Sequence, residues 1–335
     1  MTLTSVFGRL AMAMVTLVGV ALVVFVLLRV VPGDPVAMMI SPSATPADIA
    51  ALRAHYGLDL TLTRQFALWL GDVLHLDFGT SIALRRSVLQ LIGERLPATL
   101  ELTFAALLFG VFAGGGVAVA GILLRRTPLE AVMDVVNGLF LAVPDFVWAL
   151  VLVLMVGVIW PIFPLSGRLD PALSTDFHTP FYLIESLARF NFTDAGDVLA
   201  HMAMPMLALG LPLAAVIART LKEALGEAMV QDYILMARLK GMSETRLVVQ
   251  EALRNALGPT LTLTGVQFTF MIGGTVIVER IFAYPGIGNM AIDAVINRDL
   301  PLIQGIVLVF GALFIVVNIA VDLIAARLDP RPPHG

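Results

Sequence analysis

The sequence predicts an all-α polytopic membrane protein with six transmembrane helices. Three observations predict it. Of its 335 residues, 59% are hydrophobic and only 14% charged, whereas soluble domains sit near half apolar and a quarter charged. Mean hydropathy is +0.92. And the apolar residues gather into runs long enough to cross a bilayer core, which takes about 20 helical residues. The apolar surface exceeds what one buried core can hide, so the remainder is expected to face lipid. A net charge of −4 argues against nucleic-acid binding. The chain has no cysteine, which removes disulfides, iron–sulfur clusters, zinc–thiolate sites and thiol catalysis together.

Four runs are free of charge: Leu10–Leu28, Leu102–Leu124, Ala256–Val278 and Leu300–Val321. Met202–Ala218 is a shorter one, with His201 able to extend it at the membrane surface. The third span, about Ala131–Ile159, carries Asp145 near its middle. The first run follows Arg9 as a signal peptide would, but it is long and leads into "RVVPGDP" without a small-x-small cleavage site, so it reads as a retained helix.

The connections divide the chain into residues 1–31 (N-terminus and first span), 32–97 (a long helical outer loop), 98–330 (a five-helix core) and 331–335 (a tail). In the outer loop, "TPADIAALRAHYG" offers Thr45 as N-cap, Pro46 at the first helical position and Gly57 as a stop. "TRQFALWLGDVLHL" and "RRSVLQLIGERLP" are further helices, the last expected to end before Pro97. The 160–198 connection is Pro- and Asp-rich with weak periodicity. Tyr284-Pro285-Gly286 reads as a turn and 286–297 as a short surface helix. Lys and Arg in short loops set orientation. Six lie in Arg219–Arg254, against two each in 160–201 and 279–299, so both termini are expected on the side of the 219–255 connection, the cytoplasm.

That connection is expected to be helical on both sides of Gly241-Met242-Ser243, with Ser243 capping the second helix, though Arg246 stands where a capping box wants Glu. Ala237 and Gly241, four apart, share a helix face on which another surface can approach closely, ringed by Arg238, Lys240, Glu244 and Arg246. The physics leaves two readings: an amphipathic helix on the membrane face or a docking helix for a partner.

Here the sequence resembles a family. "DYILMARLKGMSETRLVVQEALRNALGP" is similar to the EAA loop of ABC-importer permeases, nearest to the branch serving oligopeptides, dipeptides and nickel. "LLRVVPGDP" (Leu27–Pro35), "LRAHYGLD", "RLPATLELT", "HMAMPMLALGLPLAAVIAR", "VIVERIFAYPGIG" and "RDLPLIQGIVLVFGALFIVVNIAVDLIAARLDPR" resemble further segments of that branch in the same order. The general pattern wants Glu-Ala-Ala where this chain has Leu235, Met236 and Ala237, and Leu-Pro where it has Leu253-Arg254; the peptide branch relaxes both. The resemblance implies an inner-membrane subunit forming half of a translocation pathway for peptides or a related solute (nickel chelate, glutathione). Its coupling loop would be Ala237, Arg238, Lys240, Gly241, Met242, Ser243 and Glu244. Its partners would be a second, different permease, two cytoplasmic ATPases carrying ATP and Mg, a periplasmic binding protein, and membrane lipid. The chain lacks a G-x-x-x-x-G-K-[ST] phosphate loop and is not expected to bind ATP itself.

Four further readings stand beside this. A carboxylate at mid-membrane costs about 2.5–3.5 kcal/mol on insertion scales, so Asp145, after Pro144, either contacts a cationic substrate group on the pathway or satisfies backbone donors freed by a Pro144 kink. Glu279 and Arg280 end the fifth span as a gate pair or as interfacial anchors. The glycines 114–116 and 273–274 suit close helix packing. The five histidines lack i,i+4 spacing and suggest no metal site. Two other functions compete. An ion-coupled secondary transporter often shows inverted repeats, and none is evident. An intramembrane enzyme needs a cluster of catalytic groups, for which Asp145 alone is insufficient.

Overall fold

The structure is a computed structural model that describes residues 3–30, 45, 59–173 and 176–328. Among these residues it is helical, with a single isolated antiparallel bridge, Thr80 to Ser87. The helices are α1 (Leu3–Val30), α2 (Leu62–Leu74), α3 (Val88–Leu123), α4 (Pro128–Ala142), α5 (Asp145–Ile159), α6 (Tyr182–Ala188), α7 (Phe192–Ala228), α8 (Asp232–Leu239), α9 (Glu244–Ile281), α10 (Ile287–Ile296) and α11 (Leu300–Leu328). Two stretches have π geometry, Val153–Ile159 in α5 and Leu247–Ala252 in α9. Among the described residues five helices are long and apolar enough to span a membrane, or six if the bent pair of α4 and α5 counts as one span.

Three expectations need correction. The third span is not one rod: α4 and α5 meet at 104°, because Val143 and Pro144 are extended (ψ 124° and 153°) and Pro144 has no N–H to continue a helix. The helix before Pro97 does not stop there; α3 runs through it. The proline removes one hydrogen bond, while burial of Val88, Leu91 and Ile92 before it and of Ala98 and Leu102 after it keeps the helix in place on both sides. The fourth span begins ten residues early, at Phe192, where the Asn191 side chain accepts from the Asp194 N–H at 3.3 Å. The helix expected after Thr45 lies outside the described residues.

The chain forms two compact units, Met1–Leu96 with Met290–Ile315, and Pro97–Asn289 with Val316–Gly335. In the first, Phe25 of α1 meets Phe66 and Trp69 of α2 at 5.3 and 5.6 Å between ring centroids. Buried Asp299 accepts from the Ser81 hydroxyl and the Ala83 N–H, fastening α11 to the segment before α3.

In the second unit α7 is the central helix. Glycines let α3 approach it: a Cβ on Gly110 would come within 2.7 Å of Leu213 Cδ2, and one on Gly114 would strike the Ala214 carbonyl oxygen. Gly110 and Gly114 are four apart, the small-xxx-small spacing of packed membrane helices. Gly115 and Gly116 face away, with nothing near a built Cβ, and help line an apolar groove of about 540 Å³ between α3, α7 and α9. So the glycine triplet divides. Gly114→Ala is expected to destabilise by about 1–3 kcal/mol through overpacking on rigid backbone. Gly115→Ala and Gly116→Ala should be neutral, or stabilising by up to about 1 kcal/mol as helix propensity favours alanine. Thermal unfolding of the three detergent-purified variants checks this; equal effects at all three positions would contradict it.

Candidate functional site

Residues 229–252 join α7 to the apolar part of α9. Ile234 of α8 is fully buried with Leu247, Val248 and Ala252 against Ala118 of α3 and Leu221, Leu225 and Ala228 of α7. Ile234, with Ala237 half-buried at the cluster's edge, thus anchors α8 to the ends of two spans.

The turn after α8 is a complete Schellman cap. Gly241 has φ +82°, its N–H donates to the Arg238 carbonyl at 3.0 Å, and the Met242 N–H donates to the Ala237 carbonyl at 3.3 Å. This pairing needs a left-handed residue, which glycine adopts without steric cost. Arg238 then reaches across the turn to Glu244, Nε to Oε1 at 2.7 Å and Nη2 to Oε2 at 2.9 Å, a bidentate pair that raises the Arg238 guanidinium above its ordinary range. Arg246 donates to Gln250 Oε1 at 2.7 Å. Ser243 takes N-cap backbone geometry, yet its hydroxyl makes no capping bond, so that expectation fails; its carbonyl accepts from the Leu247 N–H at 2.9 Å.

The open surface of α8 is not the one the small-residue spacing suggested. Ala237 and Met242 are half-buried against the cluster, while Gly241, Lys240, Ser243 and Glu244 are exposed. The outward face is apolar: Tyr233, Leu235, Met236 and Leu239, with Val230 just before, Leu239 being 76% exposed. A rigid helix presenting large apolar side chains among charges has the character of an interaction site.

At the break in the third span, Asp145 is the first residue of α5, and its Oδ1 accepts from the Phe146 N–H at 2.7 Å. Pro144 is exposed beside it. Across the break, Phe140 and Trp148 pack with ring centroids 5.0 Å apart. The Trp148 Nε1 is buried without a hydrogen-bond acceptor.

At the far end of α9 lies a polar cluster that the sequence did not disclose. Arg168 and Glu101 form an ion pair at 2.6 Å with side chains only 4% and 3% exposed. Arg168 also donates to the Pro180 carbonyl at 2.8 Å and sits 4.0 Å over the Tyr182 ring; Glu101 accepts from the Ile184 N–H at 3.1 Å. Burial pushes the neighbouring Tyr284 phenol above its ordinary value. Glu279, 0% exposed, accepts from Thr99 Oγ1 at 2.6 Å and the Asn289 N–H at 2.9 Å. A Cβ on Gly286 or Gly288 would run into this carboxylate, so these glycines are there for close approach. Arg280 is exposed and donates to Asn289 Oδ1 at 3.0 Å. Glu279 is thus buried and Arg280 exposed, while both hold Asn289. In the connection before α7, Glu185 accepts from the His178 N–H, the Thr179 hydroxyl and the Thr179 N–H, which lower its carboxyl to about 2. Among the described residues no three His, Cys, Asp or Glu side chains gather where a metal could bind.

The family described as "Binding-protein-dependent transport system inner membrane component" matches residues 106–332, and its N-terminal counterpart matches residues 2–103. The chain belongs to this family of ABC-importer permeases. Over 333 residues, 99% of each chain, the permease is 35% identical to the di/tripeptide transport system permease protein DppB of Pseudomonas aeruginosa (strain UCBPP-PA14). It is 34% identical to the dipeptide transport system permease protein DppB of Escherichia coli (strain K12), over 98% of both chains. The same identity and coverage relate it to the glutathione transport system permease protein GsiC of Salmonella choleraesuis (strain SC-B67). Its fold matches a chain of the inward-facing MetNI methionine ABC transporter with a TM-score of 0.55 at 16% identity, over 72% of this chain and 97% of that one. The permease is a membrane-spanning transport subunit and not an enzyme.

Proposed function

We propose that this permease forms half of the translocation pathway of an ATP-driven importer of small peptides or a related solute such as glutathione, and that α8 is its contact with a cytoplasmic ATPase. The observation that carries this is the mounting of α8. Ile234 pins it to two spans, the Gly241 cap and the Arg238–Glu244 pair fix its angle to α9, and its apolar face of Tyr233, Leu235, Met236 and Leu239 points outward. A rigid helix fastened to spans is a suitable lever for a two-state element. Full-length likeness to di/tripeptide and glutathione permeases supports the substrate class. In this reading a second, homologous permease completes the pathway, two ATPases carry ATP and Mg, and a periplasmic binding protein delivers the solute. The basic connection around α8 and both termini face the cytoplasm.

The test is uptake of radiolabelled dipeptide into proteoliposomes holding the permease, its partner permease, the ATPases and loaded binding protein. Uptake should require ATP on the ATPase side and persist when ion gradients are collapsed. Uptake driven by an ion gradient without ATP would establish the secondary-transporter alternative instead.

A further inference from the structure

We infer that Asp145 is a binding group on the transport pathway for a cationic solute group, the protonated amino group of a peptide being the class that fits. The inference rests on the permease reading above and adds a residue to it.

The geometry of the break makes the carboxylate available. The α4–α5 span bends by 104°, and Asp145 sits at the bend as the first residue of α5. Its two oxygens have different surroundings. Oδ1 accepts from the Phe146 N–H, which answers one of the donors freed by the broken helix. Oδ2 lies over Gly274 of α9, where a built Cβ would come within 2.7 Å. Any larger residue at 274 would push the carboxylate away, so α9 leaves room for the charge at its surface.

Depth and the lack of a counter-charge give the site its meaning. Gly274 is seven residues, about 10 Å, inside the Ile281 end of α9, and twenty residues, about 30 Å, from Arg254. The carboxylate is therefore level with the uncharged stretch of that helix. Three other carboxylates of this unit have cations: Glu101 has Arg168, and Glu130 and Asp134 share Lys222. Among the described residues no Lys, Arg or His pairs with Asp145. Ionisable residues within spans face protein or water and pair with something. A half-buried carboxylate with one oxygen uncommitted, beside a glycine that keeps space for it, is complementary to a cation that arrives and leaves.

A purely local role, capping the new helix, would need an acceptor but no charge, and asparagine keeps the acceptor. The test uses the complete transporter in proteoliposomes with saturating loaded binding protein. It follows ATP-driven uptake of radiolabelled alanylalanine alongside ATP hydrolysis stimulated by the binding protein. Asp145→Asn should lower maximal uptake at least about tenfold, as expected for one lost charge-assisted contact. Stimulated hydrolysis should stay within about twofold, and Asp145→Glu should restore much of the uptake. Unchanged uptake in Asp145→Asn would overturn the inference. So would a parallel loss of uptake and stimulated hydrolysis in both variants, which marks a structural role. If the unmodified transporter takes up no dipeptide with ATP, the permease reading fails first, separately from this inference.

Discussion

Gly241→Trp is expected to reduce uptake at least about 100-fold while the chain still inserts, and Gly241→Ala is expected to retain most of it. The pair separates two demands on one residue. The Schellman cap requires φ near +82°, a region that costs an L-residue about 1–2 kcal/mol; alanine and tryptophan both carry that penalty. Among the described residues nothing lies within 4 Å of a built Cβ on Gly241, so alanine meets no internal clash, and the exposed turn leaves a larger side chain open space at its root. Only tryptophan adds bulk to the exposed turn beside the apolar face of α8. If that face seats against an ATPase, the bulk holds the two surfaces apart and transport is lost for want of contact. Thermal unfolding should place both variants within about 1–2 kcal/mol of the unmodified chain, and uptake with the assembled partners should separate them. Near-normal uptake by Gly241→Trp would remove the docking role. Equal, severe losses in both variants would show that the cap geometry, rather than a partner's approach, is what transport needs.

Much of this architecture is legible from sequence because hydropathy needs no tertiary knowledge. Uncharged runs such as Leu300–Val321 announce spans wherever they end up. The errors lie where packing overrides a local rule. Pro97 reads as a helix stop, but α3 continues through it, with buried residues on both sides. Pro144 reads as a kink inside one span, and nothing local distinguishes a modest kink from the 104° break. Asp194 and Asp197 obscure the start of α7 because charge signals a loop, whereas here Asp194 belongs to a capped first turn and Asp197 to the turn after it. The site divides the same way. The α8 connection was visible in its clustered Lys and Arg and in Gly241-Met242-Ser243. Which face of α8 points outward was not, since that depends on Ile234 finding α3 and α7. The Glu279 pocket left a faint trace: two glycines, 286 and 288, closely follow the carboxylate and pack on it. Glu101 and Arg168 left none, because 67 residues separate them and each alone resembles an interfacial anchor.

That buried pair carries the second large effect. Removing either partner, by Glu101→Met or Arg168→Met, is expected to destabilise the folded permease by about 3–5 kcal/mol, the usual consequence of stranding one charge of a buried pair. Arg168 contributes more than charge, since it also holds the Pro180 carbonyl and stacks on Tyr182. Its loss should release the segment before α6 as well. The double variant Glu101→Met with Arg168→Met strands no charge. It should be less destabilised than the sum of the singles by about 0.5–3 kcal/mol, the range of coupling between contacting residues. A double-mutant cycle by thermal unfolding in detergent reads both quantities. Single-variant losses below about 1 kcal/mol would mean that water reaches the pair and that it behaves as a surface ion pair does. The cluster of Arg168, Glu101 and Tyr284 would then be a solvated rim. Losses of the expected size make it instead a dry staple, one that holds Arg168 and the Pro180 segment before α6 on α3.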